Sequence, residues 1–488
     1  MNRQIRAVGY VALALFGLVF LNLNWIQLVR ANRLANDPGN VRLLLKEYAI
    51  ERGPILAADV TTTLAQSQPT PSESLKFVRT YPTGPLFAHV AGYYSIVFGR
   101  DRLERSYNKA LTGSGGVLTM QDLGDRLLGR GEKGDSVVIT IDSRVQKATT
   151  DAIGSNAGAV VALDPLSGDV LALVSTPSFD PNPLSGHDTT AMRNIWKQLH
   201  ADAAKPLLNR ATAESYPPGS TFKVVTAAAA IENGKGIDTS FPPVAEYLAP
   251  QTSRPIANFG GRSCGGDMAA ALKVSCNAYF ARLGAELPRG ALAETAKKFG
   301  FGEIPPLDLR SAASRVPSEE ELRSPAFAAQ ASIGQFNVSA TPLQMALVAA
   351  GIANDGKVPV PRLLKEIRDA RGAIVEQAKS KIWKEAVSAT TAATVRDLMV
   401  QVVDAGTARA AAIPGVRVAG KTGTAQVGRE GAPPHAWFIA FAPADAPRIA
   451  VAVVVENGGN LGDEATGGRV AAPIARKVIE AHRELARW

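Results

Sequence analysis

Three short polar motifs lie far apart in the chain, and each is set in a largely apolar stretch. They read Ser-Thr-Phe-Lys at residues 220–223, Ser-Cys-Asn at residues 275–277 and Lys-Thr-Gly-Thr at residues 421–424. Taken singly, the first is better explained as a helix cap with a surface lysine, and the second as a turn. Taken together, in this order and in these settings, they are poorly explained by chance, so the fold must accommodate all three.

The overall composition is that of an ordinary globular protein. The 488 residues suffice for two or three domains, and 46% of them are hydrophobic while 20% are charged. These proportions exclude a disordered chain and a protein with many membrane spans. The net charge of +9 comes from basic residues that are scattered along the sequence. Nucleic-acid binding is therefore not predicted, and attraction to an anionic membrane or cell wall is the simpler interpretation.

One apolar segment, residues 7–29, is uncharged and long enough to cross a bilayer as a helix. Arg3 and Arg6 precede it, which favours a cytoplasmic N-terminus. A cleaved signal peptide is the alternative, but the segment is long for one and no small-x-small cleavage site follows it. The sequence therefore predicts a single-pass anchor in the cell membrane, with every residue after Arg30 outside the cytoplasm.

The two cysteines, Cys264 and Cys276, are twelve positions apart. Outside the cytoplasm they could form a disulfide that closes a short loop, or they could be two small buried apolar residues. Both interpretations stay open at this stage. Neither cysteine has a metal-binding neighbourhood and the five histidines do not cluster, so no metal site and no cofactor are predicted.

The chain divides into three predicted parts: the anchor (1–30), a pedestal-like N-terminal domain with no visible catalytic group (31–139), and a catalytic domain (140–488). In the last part, Gly158–Leu163 and residues 170–174 are apolar, β-branched runs around a Pro/Gly turn, which predicts a hairpin. Residues 416–426, 436–442 and 449–455 predict three further strands.

Helices are predicted between and after these strands, at residues 224–231, 345–353 and 468–485. Strands at both ends with helices between them predict one antiparallel sheet assembled from both ends of the domain, packed against a helical subdomain. The fold class is α/β in the broad sense (α+β).

The residue chemistry of the motifs suits acyl transfer. Ser220 is predicted at a helix N-terminus, and Lys223 lies one turn later on the same face. A serine hydroxyl becomes nucleophilic when a base removes its proton, and a lysine in an apolar setting can be that base. A second hydroxyl, Ser275, can relay a proton, while the carboxamide of Asn277 can hold both a lysine and a substrate carbonyl.

The third motif is predicted to lie on a strand. Gly423 would let a substrate backbone approach closely, as an added strand does. Lys421 and the two threonines can bind a carboxylate, and a backbone N–H at Thr424 can contribute to an oxyanion hole. A phosphate-binding loop is excluded because no Gly-x-x-x-x-Gly-Lys is present.

These motifs, with Tyr-Pro-Pro-Gly before Ser220 and Gly-Gln followed by Thr-Pro-Leu-Gln at residues 334–344, resemble monofunctional (class B) penicillin-binding proteins. The Arg-Gly-x-Ile and Leu-Glu words near residues 52 and 103 resemble the N-terminal module of that family, nearest to its actinobacterial penicillin-binding protein A group. The resemblance covers nearly the whole chain. It implies the serine penicillin-recognising transpeptidase fold and a peptidoglycan D,D-transpeptidase that is acylated by β-lactams.

The resemblance also implies a role for each motif residue. Ser220 would be the acylated nucleophile, Lys223 its general base, Ser275 and Lys421 the proton shuttle, and Asn277 the ligand of the substrate amide. Thr422 and Thr424 would hold a carboxylate, and the N–H groups of Ser220 and Thr424 would form the oxyanion hole. Cys276 stands where related hydrolases usually have aspartate.

The expected partners are peptidoglycan stem peptides, β-lactam antibiotics, the cytoplasmic membrane, a membrane glycan polymerase, and proteins of cell division or elongation. Three alternatives remain. A D,D-carboxypeptidase would use the same site, a β-lactamase would need a Glu-x-x-Leu-Asn word that is absent, and a non-catalytic penicillin sensor or scaffold would carry further spans and a cytoplasmic output domain.

Overall fold

A computed structural model describes residues 2–30, 47–113, 133–426 and 431–488. The chain begins with the helix Asn2–Leu28, whose apolar side chains are exposed along its whole length. Its 27 residues span roughly 40 Å at 1.5 Å per residue, and within the described residues this is the one helix long and apolar enough to cross a membrane. The helix covers all but the last residue of the apolar segment expected from the sequence.

The catalytic part is built on a five-stranded antiparallel sheet, here called the catalytic sheet. Its strands lie in the spatial order Ala419–Ala425, His435–Ala442, Ile449–Val455, Gly158–Leu163 and Val170–Thr176. Two strands come from the start of the domain and three from its end, which confirms the predicted sheet. The first of these, Ala419–Ala425, is an edge strand with one neighbour among the described residues, and Lys421 pairs with Ile439 there.

Helices cover both faces of the catalytic sheet. Consecutive residues of Ile449–Val455 are all buried although they point to opposite faces, so neither face is left to solvent. The helices Ser143–Ile153 and Ala471–Ala486 pack against each other and against the sheet. The helix Pro342–Ala353, buried along its full length, packs on the same strands.

A helical subdomain carries two of the three motifs. Its helices include Lys223–Glu232, Met268–Lys273, Asn277–Ala285, Ala291–Lys298, Pro325–Ala331 and Ala389–Ala405. Short strand pairs beside it join Phe241–Val244 to Cys264–Gly266 and Glu246–Tyr247 to Ile256–Ala257. The helix Thr189–Ala201 lies toward the pedestal, where Trp196 stacks on Phe98.

The pedestal contains a six-stranded sheet in the order Ile374–Gln377, Leu364–Arg368, Ser136–Ile139, Ile55–Leu56, Thr63–Pro69 and Phe77–Thr80. Two of these strands come from far beyond residue 139, so the pedestal sheet is completed by a hairpin from the later part of the chain. Short helices Ala88–Ala91, Arg102–Ser106 and Asn108–Leu111 complete this region. A further strand pair, Lys357–Pro359 with Ile382–Glu385, flanks the long buried helix.

A buried ion group holds the pedestal together. Glu104 is fully buried and accepts from Arg52 Nε at 2.6 Å and Arg79 Nε at 2.7 Å, and both arginines are also nearly inaccessible. Burial alone would raise the pKa of the Glu104 carboxyl, but the two guanidinium groups hold that pKa below its ordinary value. The Arg-Gly-x-Ile and Leu-Glu words of the sequence therefore meet in one charged cluster.

Candidate active site

Ser220 lies at the start of a helix, as predicted. A 3-10 turn, Gly219–Phe222, runs directly into the helix Lys223–Glu232. The Ser220 side chain is half-buried, and within the described part of the chain its hydroxyl has no hydrogen-bond partner. The Ser220 hydroxyl is thus accessible and stands at the positive end of the helix, where developing negative charge is favoured.

Lys223 follows one helical turn later and is completely buried. Its Nζ donates to the Ser275 backbone carbonyl at 2.7 Å and to Asn277 Oδ1 at 2.7 Å, and it lies 3.5 Å from Ser275 Oγ. Burial, with a smaller contribution from the neighbouring Lys421 charge, lowers the Lys223 pKa well below its ordinary value. Burial therefore disfavours the protonated form of Lys223.

A neutral amine has two N–H groups and one lone pair. In Lys223 both N–H groups are directed at carbonyl oxygens, those of Ser275 and of the Asn277 side chain. The lone pair is left available for a proton, which is what a general base requires.

Lys421, on the edge strand, is the second buried lysine of the site. Its Nζ donates to Ser275 Oγ at 2.8 Å and to the Thr422 carbonyl at 2.8 Å. Burial lowers the pKa of Lys421 to about 7. Because neither Lys421 nor Lys223 forms an ion pair among the described residues, two charged ammonium groups here would be uncompensated.

Ser275 lies in a tight turn between the helices Met268–Lys273 and Asn277–Ala285, with a positive φ of 61°. This conformation is uncommon for a non-glycine residue and directs the hydroxyl between the two lysines. Asn277, at the start of the next helix, donates from Nδ2 to the Ala257 carbonyl at 2.9 Å. Its amide is therefore held at both ends, by Ala257 and by Lys223.

The edge strand packs directly against the turn that carries Ser220. A Cβ added at Gly423 would lie 2.9 Å from the Pro218 carbonyl and 3.0 Å from Thr221 Cγ2. Only glycine therefore fits, and the reason is the packing of the strand against residues 218–221. This contact brings the backbone of Thr424, a half-buried residue, alongside Ser220.

The structure joins Cys264 and Cys276 in a disulfide with a Cα–Cα distance of 5.8 Å. The bond ties the strand Cys264–Gly266 to the residue that separates Ser275 from Asn277. Of the two interpretations left open by the sequence, the structure contains the bridged one.

Two further groups at the site were missed in the sequence. Tyr216 donates from its hydroxyl to Glu456 Oε1 at 2.7 Å, and Arg210 Nε donates to the same oxygen at 2.9 Å. Thr407 Oγ1 lies 2.7 Å from Thr422 Oγ1. Tyr216 stands in the motif before Ser220, but no local signal in the sequence indicates its partner Glu456 or the position of Thr407.

The comparisons with known proteins agree with this geometry. Residues 158–480 match the family described as penicillin binding protein transpeptidase domain, and residues 52–137 match the penicillin binding protein A dimerisation domain. The chain is 40% identical over 493 residues to the peptidoglycan D,D-transpeptidase PbpA of Mycolicibacterium smegmatis, covering 99% of both chains. The PbpA of Mycobacterium tuberculosis H37Rv gives the same identity and coverage.

Solved structures give a consistent result. Penicillin-binding protein A from M. tuberculosis, as a ceftriaxone acyl-enzyme complex, superposes with a TM-score of 0.85 at 40% identity, covering 90% of this chain and 99% of that one. Its penicillin G acyl-enzyme complex gives a TM-score of 0.83 at 40% identity, with 89% and 99% covered. The chain therefore belongs to the penicillin-binding protein transpeptidase family and carries an N-terminal module of the penicillin-binding protein A type.

Proposed function

We propose that this protein is a peptidoglycan D,D-transpeptidase in which Ser220 forms an acyl-enzyme. The observation that carries the proposal is the buried Lys223, whose two donor positions are occupied by carbonyl oxygens. It stands one helical turn from the half-buried Ser220. Membership of the family and the names of the relatives support the same activity.

In the first half-reaction Ser220 Oγ attacks the carbonyl carbon between the two D-alanines of a donor stem peptide. Lys223 takes the hydroxyl proton, and the backbone N–H groups of Ser220 and Thr424 hold the tetrahedral oxyanion. The C–N bond then breaks, an ester forms at Ser220, and the departing D-alanine amine receives a proton through Ser275. The 2.8 Å contact of Ser275 Oγ with Lys421 Nζ supports this relay.

In the second half-reaction an amine of another stem peptide attacks the ester carbonyl. An amide bond forms, the ester C–O bond breaks, and the proton lost by the attacking amine passes through the lysine pair to Ser220 Oγ. The Asn277 side chain, held between Lys223 and Ala257, is placed to receive the substrate amide. The donor lies along the edge strand as an added strand, with its terminal carboxylate at Thr422 and Thr424.

β-Lactams would enter the same reaction as acylating agents. Their strained amide takes the place of the D-Ala-D-Ala bond, and ring opening leaves an ester on Ser220. One relative, penicillin-binding protein A from M. tuberculosis, has solved structures as ceftriaxone, imipenem and penicillin G acyl-enzyme complexes, which supports this part of the proposal.

The cellular setting belongs to the proposal as well. We place residues 1–30 as a membrane anchor with a cytoplasmic N-terminus, residues 31–139 as the pedestal domain and residues 140–488 as the transpeptidase domain outside the membrane. The exposed apolar helix Asn2–Leu28 supports the anchor. A membrane glycan polymerase and proteins of division or elongation would be the partners, since no glycosyltransferase segment is evident in the sequence.

The test uses the detergent-solubilised full chain with donor and acceptor stem peptides, followed by mass analysis of the products. A cross-linked dimer that has lost one D-alanine is expected. The monomer shortened by one D-alanine would instead indicate the D,D-carboxypeptidase. A Ser220→Ala variant serves as the control, and product formation or penicillin labelling that survives this substitution would overturn the assignment.

A further inference from the structure

We propose that Thr407 is a positioning residue of the carboxylate site, and that its hydroxyl sets the direction in which the Thr422 hydroxyl donates. The inference rests on the proposed function, in which Thr422 binds the terminal carboxylate of the substrate. The ligand of this carboxylate site is an anionic acyl donor, which is either a peptide that ends in D-alanine or a β-lactam with a carboxylate.

Thr407 lies beside Thr422 of the edge strand. It belongs to a short loop, Gly406, Thr407 and Ala408, called here the Thr407 loop, which directly follows the helix Ala389–Ala405. The backbone N–H of Thr407 donates to the carbonyl of Lys273 at 3.2 Å. Lys273 stands two residues before Ser275 in the chain. The Thr407 hydroxyl lies 2.7 Å from that of Thr422, next to Lys421. The loop thus connects the second and third motifs of the site.

Packing on both sides of Thr407 enforces its position. A Cβ added at Gly406 would lie 2.3 Å from the Lys273 carbonyl oxygen, so no other residue fits there without movement. Ala408 is completely buried and fixes the far end of the loop. Thr407 itself remains exposed while Thr422 is 6% exposed, so the hydroxyl pair lies at the mouth of the site.

A bound carboxylate would fix the direction of the hydrogen bond between Thr407 and Thr422. Each threonine hydroxyl carries one hydrogen, and either oxygen of this pair could be the donor in the unliganded protein. A carboxylate accepts only, so Thr422 must turn its single hydrogen toward the ligand when one binds. Thr407 must then donate to Thr422 Oγ1, which polarises the Thr422 hydroxyl and fixes its orientation.

The experiment measures the second-order rate of acylation of the full chain in detergent by benzylpenicillin and by its methyl ester. Thr407→Val keeps the shape and removes the hydroxyl, and it should slow acylation by benzylpenicillin about five- to tenfold, within the usual range for loss of one hydrogen bond between neutral groups. The methyl ester lacks the carboxylate, so the rate at which it acylates the valine variant should stay within about twofold of its rate with the wild type. Thr407→Ser should restore the rate with benzylpenicillin.

Two controls separate positioning from folding. Thr394→Val removes a hydroxyl from the preceding helix, where Thr394 Oγ1 donates to the Thr390 carbonyl at 2.9 Å, and should leave both rates unchanged. In a Thr422→Val background, Thr407→Val should have no further effect, because its partner is already gone. Should the valine variant fail to fold, Thr407→Ala at this exposed position carries the same comparison.

Equal slowing with acid and ester would assign Thr407 a structural role only and overturn the inference. Full additivity with Thr422→Val, or no slowing with benzylpenicillin, would do the same. A wild-type protein that neither ligand acylates would contradict the proposed function itself, which distinguishes the two failures.

Discussion

The two buried lysines determine the chemistry at the scale of single residues. Lys223 and Lys421 lie on either side of one hydroxyl, and neither has a carboxylate partner among the described residues. Their environment lowers the pKa of each lysine, through burial first and, for Lys223, through the neighbouring charge as well. Lysines whose charged forms are disfavoured in this way are suited to accepting and passing on protons.

Lys223→Ala should abolish acylation by labelled penicillin, with a loss of at least about a hundredfold, because the serine then has no base. Lys223→Arg should not rescue it, since guanidinium stays protonated at working pH. The measurement is the rate of labelling at Ser220, with the melting temperature as a check that both variants are folded. Substantial labelling in the arginine variant would mean that Lys223 acts through its charge alone.

The Lys421 pKa of about 7 also predicts a pH dependence of stability. In the unfolded chain a lysine holds its proton up to about pH 10.4, so between pH 7 and 10 the unfolded state binds more protons than the folded one. The free energy of unfolding should therefore rise with pH across this window, by up to about 1.4 kcal/mol per pH unit from this one group. Below pH 7 Lys421 is protonated in both states, so the pH dependence that it causes should disappear.

Lys421→Met is the matched variant for this effect. The difference in melting temperature, wild type minus variant, should increase as the pH is raised from 7 to 9. A constant difference between the two proteins would show that Lys421 is charged in the folded state.

At the scale of secondary-structure elements, the active site depends on contacts between segments that are distant in sequence. Glu456, just past the strand Ile449–Val455, accepts from both Tyr216 and Arg210. Arg210 is 4% exposed and also donates to the Lys205 and Ala204 carbonyls. This carboxylate therefore ties the segment before Ser220 to the catalytic sheet.

Glu456→Ala should destabilise the protein by about 3–5 kcal/mol, because it leaves the buried Arg210 without its partner. Tyr216→Phe removes one neutral donor to the Glu456 carboxylate, which keeps its ion pair with Arg210, and should cost less, about 1.5–3 kcal/mol. Chemical denaturation of the two variants tests the order of these effects. If the tyrosine variant proved the less stable, the ion pair would not be the dominant contact.

The disulfide is the second link between elements near the site. Because it closes a twelve-residue separation, it should stabilise the folded chain by roughly 2–4 kcal/mol. Thiol titration of the denatured, unreduced protein should find no free thiol, and reduction should release two. Two free thiols before reduction would rule the bridge out.

The sequence predicted the elements better than the contacts between them. The strands Gly158–Leu163 and Ile449–Val455 have their predicted bounds because continuous β-branched runs suit a sheet that is covered on both faces. The edge strand begins at Ala419, three residues later than expected, since residues 413–416 form a turn closed by a bridge.

What local patterns could not show was long-range pairing. The hairpin formed by Leu364–Arg368 and Ile374–Gln377 completes the pedestal sheet from far along the chain. The same limit applies to the site, where Ser220, Lys223, Ser275, Asn277 and Lys421 could be chosen from their motifs. Thr407 and Glu456 matter only through partners that the fold brings to them.

At the scale of the whole molecule, the helix Asn2–Leu28 leaves its apolar side chains exposed along its full length. In water such a surface is unfavourable, whereas a bilayer would cover it along the full length of about 20 residues that a span requires. Arg3 and Arg6 precede it, and in the proposed topology they would lie in the cytoplasm, with the pedestal and the transpeptidase domain on the outer side.

Deleting residues 1–30 should therefore release a soluble protein that still acylates at Ser220, because none of the three motifs lies in the deleted stretch. In intact spheroplasts, protease added outside should digest the catalytic domain, since a large folded domain with many charges cannot return through the membrane. The substrate strands of the proposed reaction lie outside too, so topology and function are linked. If the domain were degraded only after lysis, the anchor orientation, and the transpeptidase function with it, would be wrong.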